Sequence, residues 1–239
     1  MSGSSAEAAD RPDAQGLVRP AALVFDVNET LSDMAPLAQR FADVGAPEDV
    51  AGVWFASLLR DGFALTAVGV NPRFADIGRT LLTTQLAGRV SDPEAAAEHI
   101  MTGFGQLEVH PDVVPGIRDL AGLGIRLLTL SNGSASVAQG LLTRAGIRSE
   151  FEALLSVEDA PLWKPAPPAY AYAVETAALT PAECMLVAVH PWDIDGAHRA
   201  GLTTAWVDRG NRRYPRHFSP ADVEVASLTE LAERMAGLA

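Results

Sequence analysis

The sequence predicts an α/β chain, a parallel sheet covered by helices on both faces, with an all-helical insertion after the first strand. Three observations predict it. Short apolar runs alternate with amphipathic segments from residue 113 onward. Several of those runs end abruptly in clustered polar residues. Between the first run and the rest lie about seventy residues with helical spacing and few strand signals.

The first run, Ala21-Ala22-Leu23-Val24-Phe25, stops at Asp26 and reads as a buried strand. The segments 36–59 and 71–103 carry Leu, Phe, Trp and Ile at three- and four-residue spacing and read as helices of the insertion. After Pro111 a helix is expected over 113–123, closed by Gly124, then a strand over 125–130 ending in Ser131-Asn132-Gly133-Ser134. A helix over 135–145, a short strand over 151–156 and a helix over 168–178 follow. A third buried strand over 184–189 ends at His190-Pro191-Trp192-Asp193, and another spans 203–207. The last helix begins near Ser227, with Glu230 at capping-box spacing. Residues 1–18 read as a disordered tail, 19–34 with 105–239 as a Rossmann-like core, and 35–104 as the helical insertion.

Composition narrows the function. The chain has 239 residues, 48% of them hydrophobic, enough for one sizeable core and an accessory unit. With 18 basic against 30 acidic residues its formal net charge is -12, which speaks against a nucleic-acid partner. No apolar stretch approaches the ~18–20 residues of a membrane span. The start of the chain lacks a basic-then-apolar leader, so a cytoplasmic location is expected. The one cysteine, Cys184, precedes an apolar run and reads as a buried structural thiol.

Four segments in order carry a resemblance. Asp26-Val27-Asn28-Glu29-Thr30 resembles the nucleophile loop of the haloacid dehalogenase superfamily, and Leu130-Ser131-Asn132-Gly133 its second motif. Lys164-Pro165 with Tyr170 resembles the third, and residues 187–197 with Trp192-Asp193 the fourth. The insertion then resembles the superfamily's cap domain. The Trp-Asp pair and the Tyr170 spacing are similar to the type II (S)-2-haloacid dehalogenase branch. The resemblance implies hydrolysis of a short 2-haloacid to a 2-hydroxy acid, an (S)-substrate, a homodimer, and no cofactor or metal.

It also implies roles. Asp26 would be the covalent nucleophile, kept ionised by Lys164. Ser131 and Asn132, just before a helix, would bind the substrate anion, or simply cap that helix. Thr30 would bond the loop or the Asp26 carboxylate. Superfamily phosphatases usually place an Asp two residues after the nucleophile to protonate an alkoxide; here Asn28 stands there and cannot. Their leading fourth-motif acid falls on Val189. Asp193 remains, with Asp195 as a conceivable further ligand, a thin set for Mg²⁺. Halide leaves without a proton or a metal, so carbon–halogen cleavage fits better. A Mg²⁺-dependent small-metabolite phosphatase and a catalytically idle binding protein are the rival readings.

His190 stands where the type II branch commonly has Asn. An imidazole there can activate water, and Glu29 is the carboxylate expected to orient it, giving a Glu29–His190 dyad beside Asp26. The branch commonly has Arg after a cap Trp, contacting the halide; here Phe55 follows Trp54. Phe55 then forms an apolar wall, or the role is lost, with Arg60 as a substitute anion binder or a solvated residue. Trp192 is expected as core or pocket wall.

Overall fold

The structure, a computed structural model, describes residues 17–238. The tail expected over 1–18 lies almost wholly outside the described residues; Leu17 is already half-buried against the core. Strand β1 (Ala22–Phe25) is buried at every position. Its side chains alternate, Ala22 and Val24 entering one core and Leu23 and Phe25 the other. A strand covered on both faces needs a continuous apolar run, which is why no polar residue interrupts it.

Four helices follow, α1 (Leu37–Asp43), α2 (Val50–Ala67), α3 (Phe74–Leu86) and α4 (Pro93–Gly105). Each of the two helical segments expected from the sequence is therefore two helices. The breaks fall at Gly45 and Gly88, both with positive φ, where a residue bearing Cβ is disfavoured. Asp92 caps α4 through the Ala95 N–H (2.9 Å), with Pro93 in the first turn. The helix α2 runs past the expected end at residue 59, and the Trp163 indole lies against it at Gly62. Trp54, Phe55, Phe74 and Phe104 form the aromatic centre of this helical unit, and Phe74 stacks on Trp163 of the core at 6.0 Å.

The core elements then come in order: α5 (Val113–Gly122), β2 (Arg126–Ser131), α6 (Ala135–Arg144), β3 (Ala153–Ser156), α7 (Pro167–Ala177), β4 (Cys184–Ala188), α8 (Pro191–Arg199), β5 (Thr203–Val207), β6 (Val223–Val225) and α9 (Leu228–Ala236). The six strands are all parallel, in the order β3-β2-β1-β4-β5-β6. Three-residue β6 is too short to stand out in the sequence. Ser227 caps α9 through the Glu230 N–H (3.1 Å), but the Glu230 carboxylate bonds the N–H of Ala226 rather than that of the cap, so the expected capping box is only half closed. Cys184 is buried, and burial pushes its thiol up to about 11, as a structural thiol requires.

The strand order reverses direction at β1, with β2 and β4 on its two sides. That is the switch point at which open parallel sheets leave a crevice beyond the strand tips. Asp26 directly follows β1, Ser131 ends β2, and His190 lies two residues past β4. Gly196 of α8 lets α7 and the loop before it close against this edge. A Cβ there would lie 2.5 Å from the Tyr170 hydroxyl oxygen and 2.7 Å from Cβ of Pro165. Gly196→Ala should therefore cost ~1–3 kcal/mol, read as a lower urea midpoint with an unchanged m-value; an unaltered midpoint would mean that α7 and α8 have slack.

Candidate active site

The Asp26 carboxylate is buried at the tip of β1. One oxygen accepts from the Lys164 ammonium (2.9 Å); the other accepts from the Thr30 hydroxyl (2.7 Å) and from His190 Nδ1 (3.1 Å). Thr30 Oγ1 in turn accepts the Val189 N–H (3.1 Å), tying the loop after β1 to the tip of β4. Burial alone would raise the Asp26 pKa. The Lys164 charge and the hydrogen bonds from His190 and Thr30 outweigh it and hold the carboxyl well below its usual range.

Lys164 is fully buried and bonds a second carboxylate, Asp193, at 2.6 Å. The other Asp193 oxygen accepts from the Tyr170 hydroxyl (2.6 Å). Burial pushes the Asp193 carboxyl up, against the pull of Lys164, and two short donor contacts stabilise its ionised form. Tyr170 is pushed well above its ordinary value by burial and by Asp193, so it remains a donor. Both ends of the Asn132 amide are spent on the Lys164 backbone, Nδ2 on its carbonyl (3.1 Å) and Oδ1 on its N–H (3.0 Å).

His190 bonds Glu29 through Nε2 (2.8 Å) while Nδ1 faces Asp26. Burial would lower its pKa, but the hydrogen bonds and charges of Asp26 and Glu29 raise it to about 9. The resting imidazole is thus a cation with both N–H groups donating. Two carboxylates claim the ring at once. Trp192 stacks on it (4.9 Å between centroids, 29° between planes), and Phe55 approaches at 6.4 Å. Glu29 itself has φ +61° and a side chain 45% exposed.

A cleft of about 720 Å³ opens between the helical insertion and this edge of the site, with Met34, Phe55, Leu59, Glu29, His190 and Arg209 in its lining. Arg60 is not among its lining residues. One helical step from Leu59 turns it to solvent, where its side chain is 69% exposed and paired with Asp61 (2.8 Å), so the anion-binding role suggested for it is withdrawn. The Asn132 side chain is likewise unavailable to a substrate, because it braces Lys164. Ser131 accepts the Gly133 N–H (2.9 Å), and its own hydrogen has no protein acceptor among the described residues.

The carboxylates do not suit a divalent cation. Both oxygens of Asp26 and both of Asp193 are engaged by Lys164, Thr30, His190 and Tyr170. Asp195, the conceivable extra ligand, bonds Arg199 (2.8 Å) and the Ser219 N–H (2.9 Å), and the Arg199 hydrogen bond is the largest influence holding its carboxyl at about 2. A buried ammonium already lies between Asp26 and Asp193.

From the sequence, the basic cluster 209–216 reads as a solvated loop and His110 as a scattered histidine without metal-ligand spacing. The structure corrects the first, because Arg209 is largely buried and bonded to the loop after β1, and gives the second a partner there. His110 Nε2 donates to the Glu29 carbonyl (3.0 Å), and Arg209 donates to the Thr30 carbonyl from Nε (3.1 Å) and Nη2 (2.8 Å). Arg209 lies two residues past β5, on the same edge of the sheet as Asp26, and that position was the available signal. Nothing in the sequence around His110 pointed to the loop it grips.

Comparison with known proteins shows the family of the chain. A family model for haloacid dehalogenase-like hydrolases matches residues 20–201. The chain is 27% identical over 220 residues to (S)-2-haloacid dehalogenase 1 of Pseudomonas sp. (strain CBS-3), covering 89% of this chain and 95% of that one. It is 30% identical over 191 residues to the (S)-2-haloacid dehalogenase of Xanthobacter autotrophicus, covering 79% and 75%. The solved structure of L-2-haloacid dehalogenase from Xanthobacter autotrophicus superposes with a TM-score of 0.83 at 26% identity, covering 93% of this chain and all of that one. The protein belongs to the haloacid dehalogenase-like hydrolase family, and its sequence and fold are similar to those of the (S)-2-haloacid dehalogenases within it.

The contact between His190 and Asp26 has a measurable signature. Asp26→Asn removes the anion that favours the imidazolium, so the His190 titration, followed by NMR, should move from about 9 toward neutrality by about one unit or more. An unmoved midpoint would mean that Glu29 alone sustains the charge.

Proposed function

We propose that the protein hydrolyses short 2-haloalkanoic acids to 2-hydroxy acids through an ester on Asp26. The observation that carries the reading is the ionised Asp26 carboxylate, buried among Lys164, Thr30 and a Glu29-bonded imidazole. The names of the relatives support the same substrate class.

The helices α1–α4 serve as the cap, and the substrate carboxylate takes the free hydrogen of Ser131. An Asp26 oxygen attacks C2 from the face opposite the halogen; the C–O bond forms, the carbon–halogen bond breaks with its electron pair, and C2 inverts. Lys164 keeps the attacking group ionised, and its two carboxylate partners hold its own proton in place.

Esterification removes the negative charge of Asp26. The His190 cation loses one of its two anionic partners and releases a proton to solvent along the half-exposed Glu29 edge. The neutral imidazole, still oriented by Glu29, then takes a proton from water as that water adds to the ester carbonyl. The tetrahedral adduct collapses, its remaining hydroxyl proton passing to the departing alkoxide. Asp26 is again a carboxylate, His190 again a cation, and the net products are hydroxy acid, halide and the one proton released earlier.

Incubation with (S)-2-chloro- or (S)-2-bromopropionate should release halide at a rate EDTA leaves unchanged. His190→Ala should slow turnover ~10²–10⁴-fold and leave the ester on Asp26, visible in the intact mass. Activity on p-nitrophenyl phosphate that EDTA abolishes, with no halide released, would overturn the assignment.

A further inference from the structure

We infer that His110 and Arg209 are positioning residues, holding the Glu29 carboxylate against His190 by gripping the two consecutive peptide carbonyls of residues 29 and 30. The inference extends the proposed role of the Glu29–His190 pair to two side chains outside it.

Glu29 needs such a grip. Its φ of +61° lies in the left-handed region, which costs a residue bearing Cβ ~1–2 kcal/mol. Its side chain is 45% exposed, so packing alone does not confine it. If residue 29 relaxed to an ordinary backbone conformation, its Cα–Cβ bond would swing and the carboxylate would leave the imidazole.

The grip comes from two independent directions. His110 lies on the segment that returns from the helical insertion. Its backbone N–H bonds the Leu31 carbonyl (3.0 Å) and its ring bonds the Glu29 carbonyl (3.0 Å). A carbonyl can only accept, so Nε2 carries the hydrogen; burial and the Arg209 charge push the ring below its ordinary pKa, and it acts as a neutral donor. Arg209 approaches from beyond β5 and places two N–H groups on the Thr30 carbonyl. It is itself fixed by Asp112 (2.7 Å), whose other oxygen accepts the Leu228 N–H at the start of α9 (2.7 Å). The loop that bears the dyad acid is thereby anchored to α9 and to the base of the insertion.

The test uses the full-length protein with His110→Leu, His110→Gln and Arg209→Lys. The first readout needs no substrate: the NMR titration of His190, which Asp26, Glu29 and the rings of Trp192 and Phe55 surround. His110→Leu should lower its midpoint by about half a unit or more as Glu29 drifts away. His110→Gln, which keeps a donor at similar reach, should restore it. Arg209→Lys, losing the two-pronged contact, should move it in the same direction as Leu. The second readout is halide release from 2-bromopropionate. His110→Leu should keep a full first-turnover burst and an unchanged kcat/KM for halide release, while steady-state kcat falls about tenfold, KM falls with it, and the Asp26 ester accumulates. An unmoved His190 midpoint in both His110→Leu and Arg209→Lys, or equal loss in the Gln and Leu variants, overturns the inference. If His110→Leu does not fold, Arg209→Lys decides alone. If the wild type releases no halide, the dehalogenation reading fails while the titration still decides whether the grip exists.

Discussion

A single buried ammonium organises the site. Taking a lysine out of water costs several kcal/mol unless opposite charges and hydrogen bonds replace the solvent. Lys164 meets that requirement with Asp26 from the end of β1 and Asp193 from the first turn of α8, while Asn132 from beyond β2 holds its peptide. Three strand ends and the loop before α7 must therefore converge for the charge to be tolerated. The close approach of α7 to α8 at Gly196 and the Tyr170 bond to Asp193 belong to the same constraint.

The second charge in the site is of a different kind. His190 owes its protonation to Asp26 and Glu29 together, so its state depends on whether Asp26 bears a charge. In the proposed mechanism the nucleophile and the base are thus wired in opposition. While the carboxylate is free to attack, the imidazole is a donor that steadies it. Once the carboxylate is consumed, the imidazole can become an acceptor. Asn at position 190 could provide a hydrogen bond but could not change protonation state between the two half-reactions.

The sheet was legible because its chemistry is repetitive. Apolar runs ending in polar residues name the strand tips, and a parallel sheet sends all its tips to one edge. The same logic places Glu29 and His190 together, and the structure sets them 2.8 Å apart. It failed where outcome depends on which way a side chain turns. Arg60 and Leu59 are neighbours in sequence, yet one helical step turns one to solvent and the other to the cleft. Asn132 has the right type and place for an anion site, but the Lys164 backbone captures both ends of its amide. His110 and Arg209 act on backbone carbonyls, which every residue possesses, so no pattern of residue types could mark their targets.

The indole of Trp192 lies flat on the His190 ring. A charged imidazole withdraws electron density from an excited indole far more effectively than a neutral one does. In the proposed cycle, each passage through the Asp26 ester would then brighten and dim one tryptophan, giving the molecule a built-in optical clock.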